Sequence, residues 1–129
     1  MKTEISIVIR TLNEEKYLPS LLSAIRSQKT KFTYEIVLID SGSTDKTLEI
    51  AKKFKCKITH IAKANFSFGR SLNKGINFSN GTYLVFISGH CVPKDQNWLE
   101  NLVSPIVNKK VEYTYGKQLG GDSSFWSEK

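Results

Sequence analysis

Short apolar runs alternate with amphipathic stripes along almost the whole chain, and this alternation limits the fold more than any other feature. Ile5-Ser6-Ile7-Val8-Ile9, Tyr34 to Ile39, Cys56 to Ile61 and Tyr83 to Ile87 are short, rich in β-branched residues and bounded by polar turns, which predicts strands. Between the first two, Tyr17, Leu18, Leu21, Leu22 and Ile25 recur at helical spacing, with Pro19 early, where a missing N–H costs little. Leu48, Ala51 and Phe54 form a second stripe, and Leu72 and Ile76 a third. Trp98, Leu99, Leu102, Val103 and Ile106 form a fourth, which Pro105 must kink or end. A fifth strand is expected from Glu112 to Gly116, and the tail from Gly120 to Ser124 reads as loop. Strands alternating with helices predict one α/β domain over residues 1–129, a mostly parallel sheet with helices on both faces.

The carboxyl ends of parallel strands share one edge, and ligands of open α/β sheets bind there. The residues this brings together are polar and small: Thr11 to Glu14 after the first strand, Asp40 after the second, and Ser88-Gly89-His90 after the fourth. Asp40 has two readings of equal standing. It could accept hydrogen bonds from a base or ribose, or it could cap its own turn through the N–H groups of Gly42 and Ser43. Ser43 is expected as the N-cap of the next helix and Asp45 as an acidic residue in its positive first turn. Glu14 can serve a ligand or simply open a helix. Asp95 reads as a helix cap, and Asp122 in the tail has no assigned role.

Composition narrows the partners. No apolar run approaches the ~20 residues needed to cross a bilayer, and the N-terminus carries no secretory signature, so a cytoplasmic chain is expected. Two cysteines, Cys56 and Cys91, are too few for a disulfide framework and are expected as thiols. The net charge of +7 fits an anionic ligand or an anionic surface. The lysines are scattered and lack the interleaved aromatics of a nucleic-acid face, so no nucleic-acid partner is expected.

The blocks Ile7-Val8-Ile9-Arg10-Thr11-Leu12-Asn13-Glu14-Glu15 and Ile39-Asp40-Ser41-Gly42-Ser43-Thr44-Asp45-Lys46-Thr47 resemble those of family 2 glycosyltransferases of the GT-A fold. Asn73-Lys74-Gly75-Ile76 and the run from Asn80 to Ile87 are similar to further segments of that family. Tyr115-Gly116-Lys117-Gln118 resembles a segment of bacterial polysaccharide members, rhamnosyltransferase-like ones included. The resemblance implies a nucleotide-diphosphate sugar as donor and a surface polysaccharide or lipid-linked acceptor, with peripheral association at the inner membrane face. It places Thr11, Asn13, Glu14, Asp40, Gly42, Arg70, Ser88 and Gly89 at the nucleotide-sugar site. The family's fourth strand ends in Asp-x-Asp, which binds a divalent metal, Mn²⁺ or Mg²⁺, on the diphosphate. Here Ser88-Gly89-His90 stands in that place, and His90 is the one metal-ligand candidate it offers. Arg70 and a protonated His90 could instead face the phosphates without metal, while Gly89 could let the backbone come close to a ligand. The family's catalytic carboxylate lies beyond the matched segment, so the chain is expected to hold the donor half of a site, truncated on the acceptor side. The alternative is a degenerate, non-catalytic nucleotide- or glycan-binding module.

Overall fold

The structure is a computed structural model that describes residues 3–62, 68–89, 92–93, 95–107, 115–116, 118–119 and 124–128. His90, Cys91, Asp122, the loop 63–67 and positions 112–114 of the expected fifth strand lie outside the described residues. In chain order the elements are β1 (Ile5–Thr11), α1 (Leu18–Arg26), β2 (Tyr34–Asp40), α2 (Thr47–Lys53), β3 (Lys57–His60) and α3 (Phe68–Phe78). They continue with β4 (Tyr83–Ser88), β5 (Val92–Pro93), α4 (Trp98–Val107), β6 (Tyr115–Gly116), β7 (Gln118–Leu119) and β8 (Ser124–Glu128).

The main sheet has six strands in the order β3-β2-β1-β4-β8-β6. β3, β2, β1 and β4 run parallel, whereas β8 is antiparallel to both β4 and β6. β5 and β7 form a separate antiparallel pair. Alternation along each strand divides the core in two. One face carries Ile5, Ile7, Ile9, Ile36, Leu38, Val85 and Ile87 against α1, α2 and α4. The other carries Val8, Val37, Ile39, Leu84 and Phe86, with Ile76 of α3 packed on them. β1, β2 and β4 are therefore buried on both sides, which is why they read as near-continuous apolar runs.

Gly75 sets how closely α3 approaches the sheet. A Cβ there would stand 2.9 Å from Val8 Cγ1 and 3.2 Å from Phe86. Gln28, just after α1, ties α4 to it. Its Nε2 donates to Asp95 O at 2.7 Å and its Oε1 accepts from Leu99 N at 2.8 Å. Asp95 does not cap the helix as expected: its Oδ1 accepts from Asn97 N at 2.9 Å, in a turn that precedes the start of α4 at Trp98.

Three local expectations are corrected. Tyr17 does not belong to the buried stripe: it stands 44% exposed just before α1, while Leu18, Leu21, Leu22 and Ile25 are fully buried. Ser43 is not an N-cap, because α2 begins only at Thr47. Of the expected loop only Ser124 is described, and it opens β8, a strand the sequence does not announce, which pairs with β4. Without it the outer edge of β4 would present unpaired backbone groups, a requirement that local propensity does not reveal.

Candidate functional site

β1 and β2 are in register to their ends, Thr11 opposite Asp40, and β1 and β4 pair up to Arg10 opposite Ser88. The three carboxyl ends therefore form one rim. Strand order also reverses at β1: the chain steps outward through β2 and β3, then returns to place β4 on the other side. α1, α2 and α4 lie on one face and α3 on the other, and a reversal of strand order of this kind is where open α/β sheets receive ligands.

Asp40 is the centre of this rim and is completely buried. Its Oδ1 accepts from Thr11 Oγ1 at 2.8 Å and Ser43 Oγ at 2.5 Å; its Oδ2 accepts from Gly42 N at 3.0 Å and Ser43 N at 2.7 Å. Burial pushes the carboxyl upward, but the hydrogen bonds from Ser43, Thr11 and Gly42 outweigh it and hold the pKa below the ordinary value. A carboxylate offers about four acceptor positions, and all are filled from within the chain. The geometry realises the capping reading of Asp40. With both oxygens so engaged, Asp40 shapes the loop that a ligand at this rim would meet. Gly42 makes that loop feasible, since its φ of 107° is open to glycine and strained for other residues.

The two motif loops are stitched to each other. Asn13, in the left-handed region at φ 54°, donates its N–H to Ser43 Oγ at 2.8 Å. Its Oδ1 accepts from Thr44 N at 2.8 Å and, more weakly, Asp45 N at 3.4 Å. Glu14 N donates to Thr47 Oγ1 at 2.8 Å, and Glu15 N to Asp45 Oδ2 at 3.2 Å. Asp45 Oδ1 also accepts from Thr47 N at 2.9 Å, closing the first turn of α2. Glu14 is half-buried in the turn before α1, not in its first helical turn. Ser43 and Thr47 were missed as site residues; the only signal was their spacing from Asp40 and Asp45, which suits side-chain-to-backbone turns.

Gly89 is likewise explained from within the chain. Its N–H donates to Arg10 O at 3.0 Å. A Cβ there would stand 2.9 Å from Arg10 O, 2.9 Å from Thr11 Cγ2 and 3.0 Å from Glu14 Cγ. The close approach that requires glycine here is thus to the end of β1. Gly89→Ala is expected to destabilise the domain by about 1–3 kcal/mol through overpacking and to weaken any ligand bound between β1 and β4. Urea unfolding checks the first effect, and a variant as stable as the parent would refute this packing.

Ser88 is half-buried at the end of β4. Arg70 is exposed in the first turn of α3. The C-terminus of α3 lies at the far edge, where Phe78 O accepts from Lys57 Nζ at 2.9 Å at the start of β3. Its first turn therefore lies toward the same rim as Thr11 and Ser88. Cys56 is a free, half-buried thiol that burial pushes up to about 11, despite a small opposing pull from Arg26; it is protonated at neutral pH.

The site as described holds no carboxylate at Ser88 or Gly89, and no group of three or more His, Cys, Asp or Glu among the described residues is arranged to hold a metal ion. These residues do not fit a carboxylate-held metal diphosphate. Also among the described residues, no helix is long and apolar enough to cross a membrane.

Relatives share both sequence and fold. "Glycosyltransferase AglE" of Haloferax volcanii is 35% identical over 86% of this chain, which covers 40% of that protein. A Methanococcus voltae protein is 31% identical over 97% of the chain, which covers 48% of it. That protein is named dolichyl N-acetyl-alpha-D-glucosaminyl phosphate 3-beta-D-2,3-diacetamido-2,3-dideoxy-beta-D-glucuronosyltransferase. The chain thus spans less than half the length of either. Among solved structures, Staphylococcus aureus TarS residues 1–349 superposes with a TM-score of 0.73 at 23% identity, over 86% of this chain and 34% of that one. Glucosyl-3-phosphoglycerate synthase of Mycobacterium tuberculosis, in complex with Mn²⁺, UDP and glucosyl-3-phosphoglycerate, gives the same score and identity over 86% and 42%. These neighbours have the GT-A fold expected from the sequence. With a switch point at β1, a rim built by the two motif loops, and the family described as "Glycosyl transferase family 2" matching residues 6–128, the chain belongs to glycosyl transferase family 2.

Proposed function

We propose that this chain is the donor-binding part of a glycosyltransferase. It takes a sugar from a nucleoside-diphosphate sugar for transfer to a polysaccharide or lipid-linked acceptor. The observation that carries the reading is the convergence of β1, β2 and β4 on one rim where strand order reverses, the place at which open α/β sheets receive nucleotides. Thr11, Asn13, Asp40 and Gly42 shape that rim, Glu14 and Ser88 flank it, and Arg70 lies toward the phosphate side. Support for the ligand class comes from neighbours of the same fold solved with UDP-GlcNAc, with UDP and Mn²⁺, and with GDP-Man and Mn²⁺. Support for a lipid-linked acceptor comes from the name of the Methanococcus voltae relative. These proteins carry different bases and sugars, so both are quantities for experiment.

A metal, if bound, would offset charge on the leaving diphosphate. His90 is the one residue of its tripeptide with a side chain suited to such a role. Lys46, Lys52, Lys53 and Lys55, all exposed around α2, would favour approach to an anionic membrane at its cytoplasmic face. An activating carboxylate for the acceptor hydroxyl belongs, in this reading, to a segment outside this chain.

Titration with UDP, GDP and dTDP, in Mn²⁺ and in EDTA, tests the proposal. Saturable binding that prefers one base is expected, with slow or absent turnover of the matching nucleotide-sugar. Failure to bind any of the three would overturn the donor-binding reading. The loss of both carboxylates at Ser88-Gly89-His90 favours a second reading, a non-catalytic binding module. Metal-independent binding together with no transfer by the longer protein would decide for it.

A further inference from the structure

We propose that the Arg10 guanidinium binds the donor's diphosphate, supplying at this rim positive charge that the side chains of Ser88 and Gly89 cannot recruit through a carboxylate-held cation. The inference rests on the donor-binding reading and adds a specific residue to that site.

Arg10 is placed by alternation along β1. Val8 lies in the core beneath α3 with Val37, Ile39, Leu84 and Phe86, so Arg10, two residues on, faces the same side. In register it stands between Ile39 of β2 and Ser88 of β4. A cation thus sits beside the last hydroxyl of β4, on the face whose helix carries Arg70 in its first turn. At the opposite end of that face Lys57 Nζ meets Glu35 Oε1 at 3.2 Å, and Glu35 Oε2 accepts from Ser6 Oγ and Asn80 N. The α3 face therefore runs from a polar knot, through an apolar layer, to Arg10 at the rim.

The position of Arg10 is held rigidly. Its carbonyl accepts from Gly89 N at 3.0 Å, which ties the end of β4 to the root of this side chain. The side chain is half-buried, and its Nε has no contact with solvent. Burial holds the guanidinium pKa below its ordinary value, a penalty on the charged form that a phosphate laid against it would relieve. The planar fork of an arginine matches two phosphate oxygens at once, which a lysine cannot reproduce. The competing role is packing, with the aliphatic stem of Arg10 covering the end of the apolar layer. Packing alone would not distinguish how many phosphates a ligand carries.

The test therefore compares phosphate number. The 129-residue chain is titrated by saturation-transfer NMR with UDP, GDP and dTDP and with uridine, guanosine and thymidine, in EDTA and in Mn²⁺. For whichever base binds, Arg10→Gln is expected to weaken the diphosphate about 10- to 100-fold in EDTA, the effect of a lost charge-assisted pair. Its nucleoside affinity stays unchanged, and Arg10→Lys falls between the two. Melting curves of both variants confirm that they fold. If folded Arg10→Gln keeps the diphosphate affinity, or if nucleoside and diphosphate weaken by the same factor, the inference is overturned while donor binding stands. If the parent chain binds no nucleotide, both fall together.

Discussion

Asp40→Ala is expected to remove about 3–5 kcal/mol of stability, enough to lower the melting temperature by roughly 10–20 °C. The loss comes from what the carboxylate leaves behind. Thr11 Oγ1, Ser43 Oγ, Gly42 N and Ser43 N all donate to it, and the carboxylate and Thr11 are buried. Deleting it strands two backbone donors and unseats the loop that Asn13 then bonds. Asp40→Asn should lose much less, about 1–2 kcal/mol. An amide can keep its oxygen toward the two N–H groups and turn its NH₂ toward the two hydroxyls, which can rotate to accept. The pH dependence follows from the same bonds. The folded-state pKa of Asp40 lies below its unfolded value of about 3.9, so its contribution is complete above about pH 5 and is lost as pH falls through the folded value. Urea midpoints at pH 6 and pH 3 check both points. A midpoint for Asp40→Ala equal to that of the parent at pH 6 would show that the hydrogen-bonded knot contributes nothing.

Gly81→Ala is the companion case at the opposite edge, with an expected loss of about 3–5 kcal/mol from overpacking and a disturbed buried hydrogen bond. A Cβ at Gly81 would lie 2.5 Å from Ser6 N and 2.7 Å from the carbonyl carbon of Ile5. These are backbone atoms of the central strand and cannot rotate away. The start of β4 would have to retreat, stretching the bond from Gly81 N to Ser6 Oγ at 2.8 Å and disturbing Glu35 behind it. Because this edge is remote from the rim, the fraction that remains folded should bind nucleotide with parental affinity. Calorimetric melting and a titration below the melting point separate the two effects. Parental melting would mean that β1 and β4 are not packed this closely, and weakened binding in the folded fraction would place the ligand elsewhere.

Much of the fold was legible in the sequence. The strands at Ile5, Tyr34 and Tyr83 announce themselves because a strand buried on both faces must be apolar throughout, and the stripe from Leu18 to Ile25 because one helix face must meet the sheet. Placing Thr11, Asp40 and Ser88 at one rim also followed, since parallel strands put all carboxyl ends on one side. The parts that were not legible concern who satisfies whom. Asp40 offered two partners of equal merit until Thr11 and Ser43 were seen to fill it. Gly89 suggested a close approach without naming its neighbours, which include Thr11 and Glu14. Arg10 stood in the first motif block without a role of its own, and only its register with Ser88 makes it a candidate phosphate ligand.

By itself, then, the sequence determined the layer architecture, the sheet edge that matters and the family, because periodicity and local motifs are properties of neighbours along the chain. Tertiary structure alone decided that the two motif loops bind each other, that β8 closes the edge of β4, and that a cation stands at the end of the α3 face. Hydrogen-bond saturation and close packing are set by distances between residues some 30 to 80 positions apart, and no local pattern encodes them.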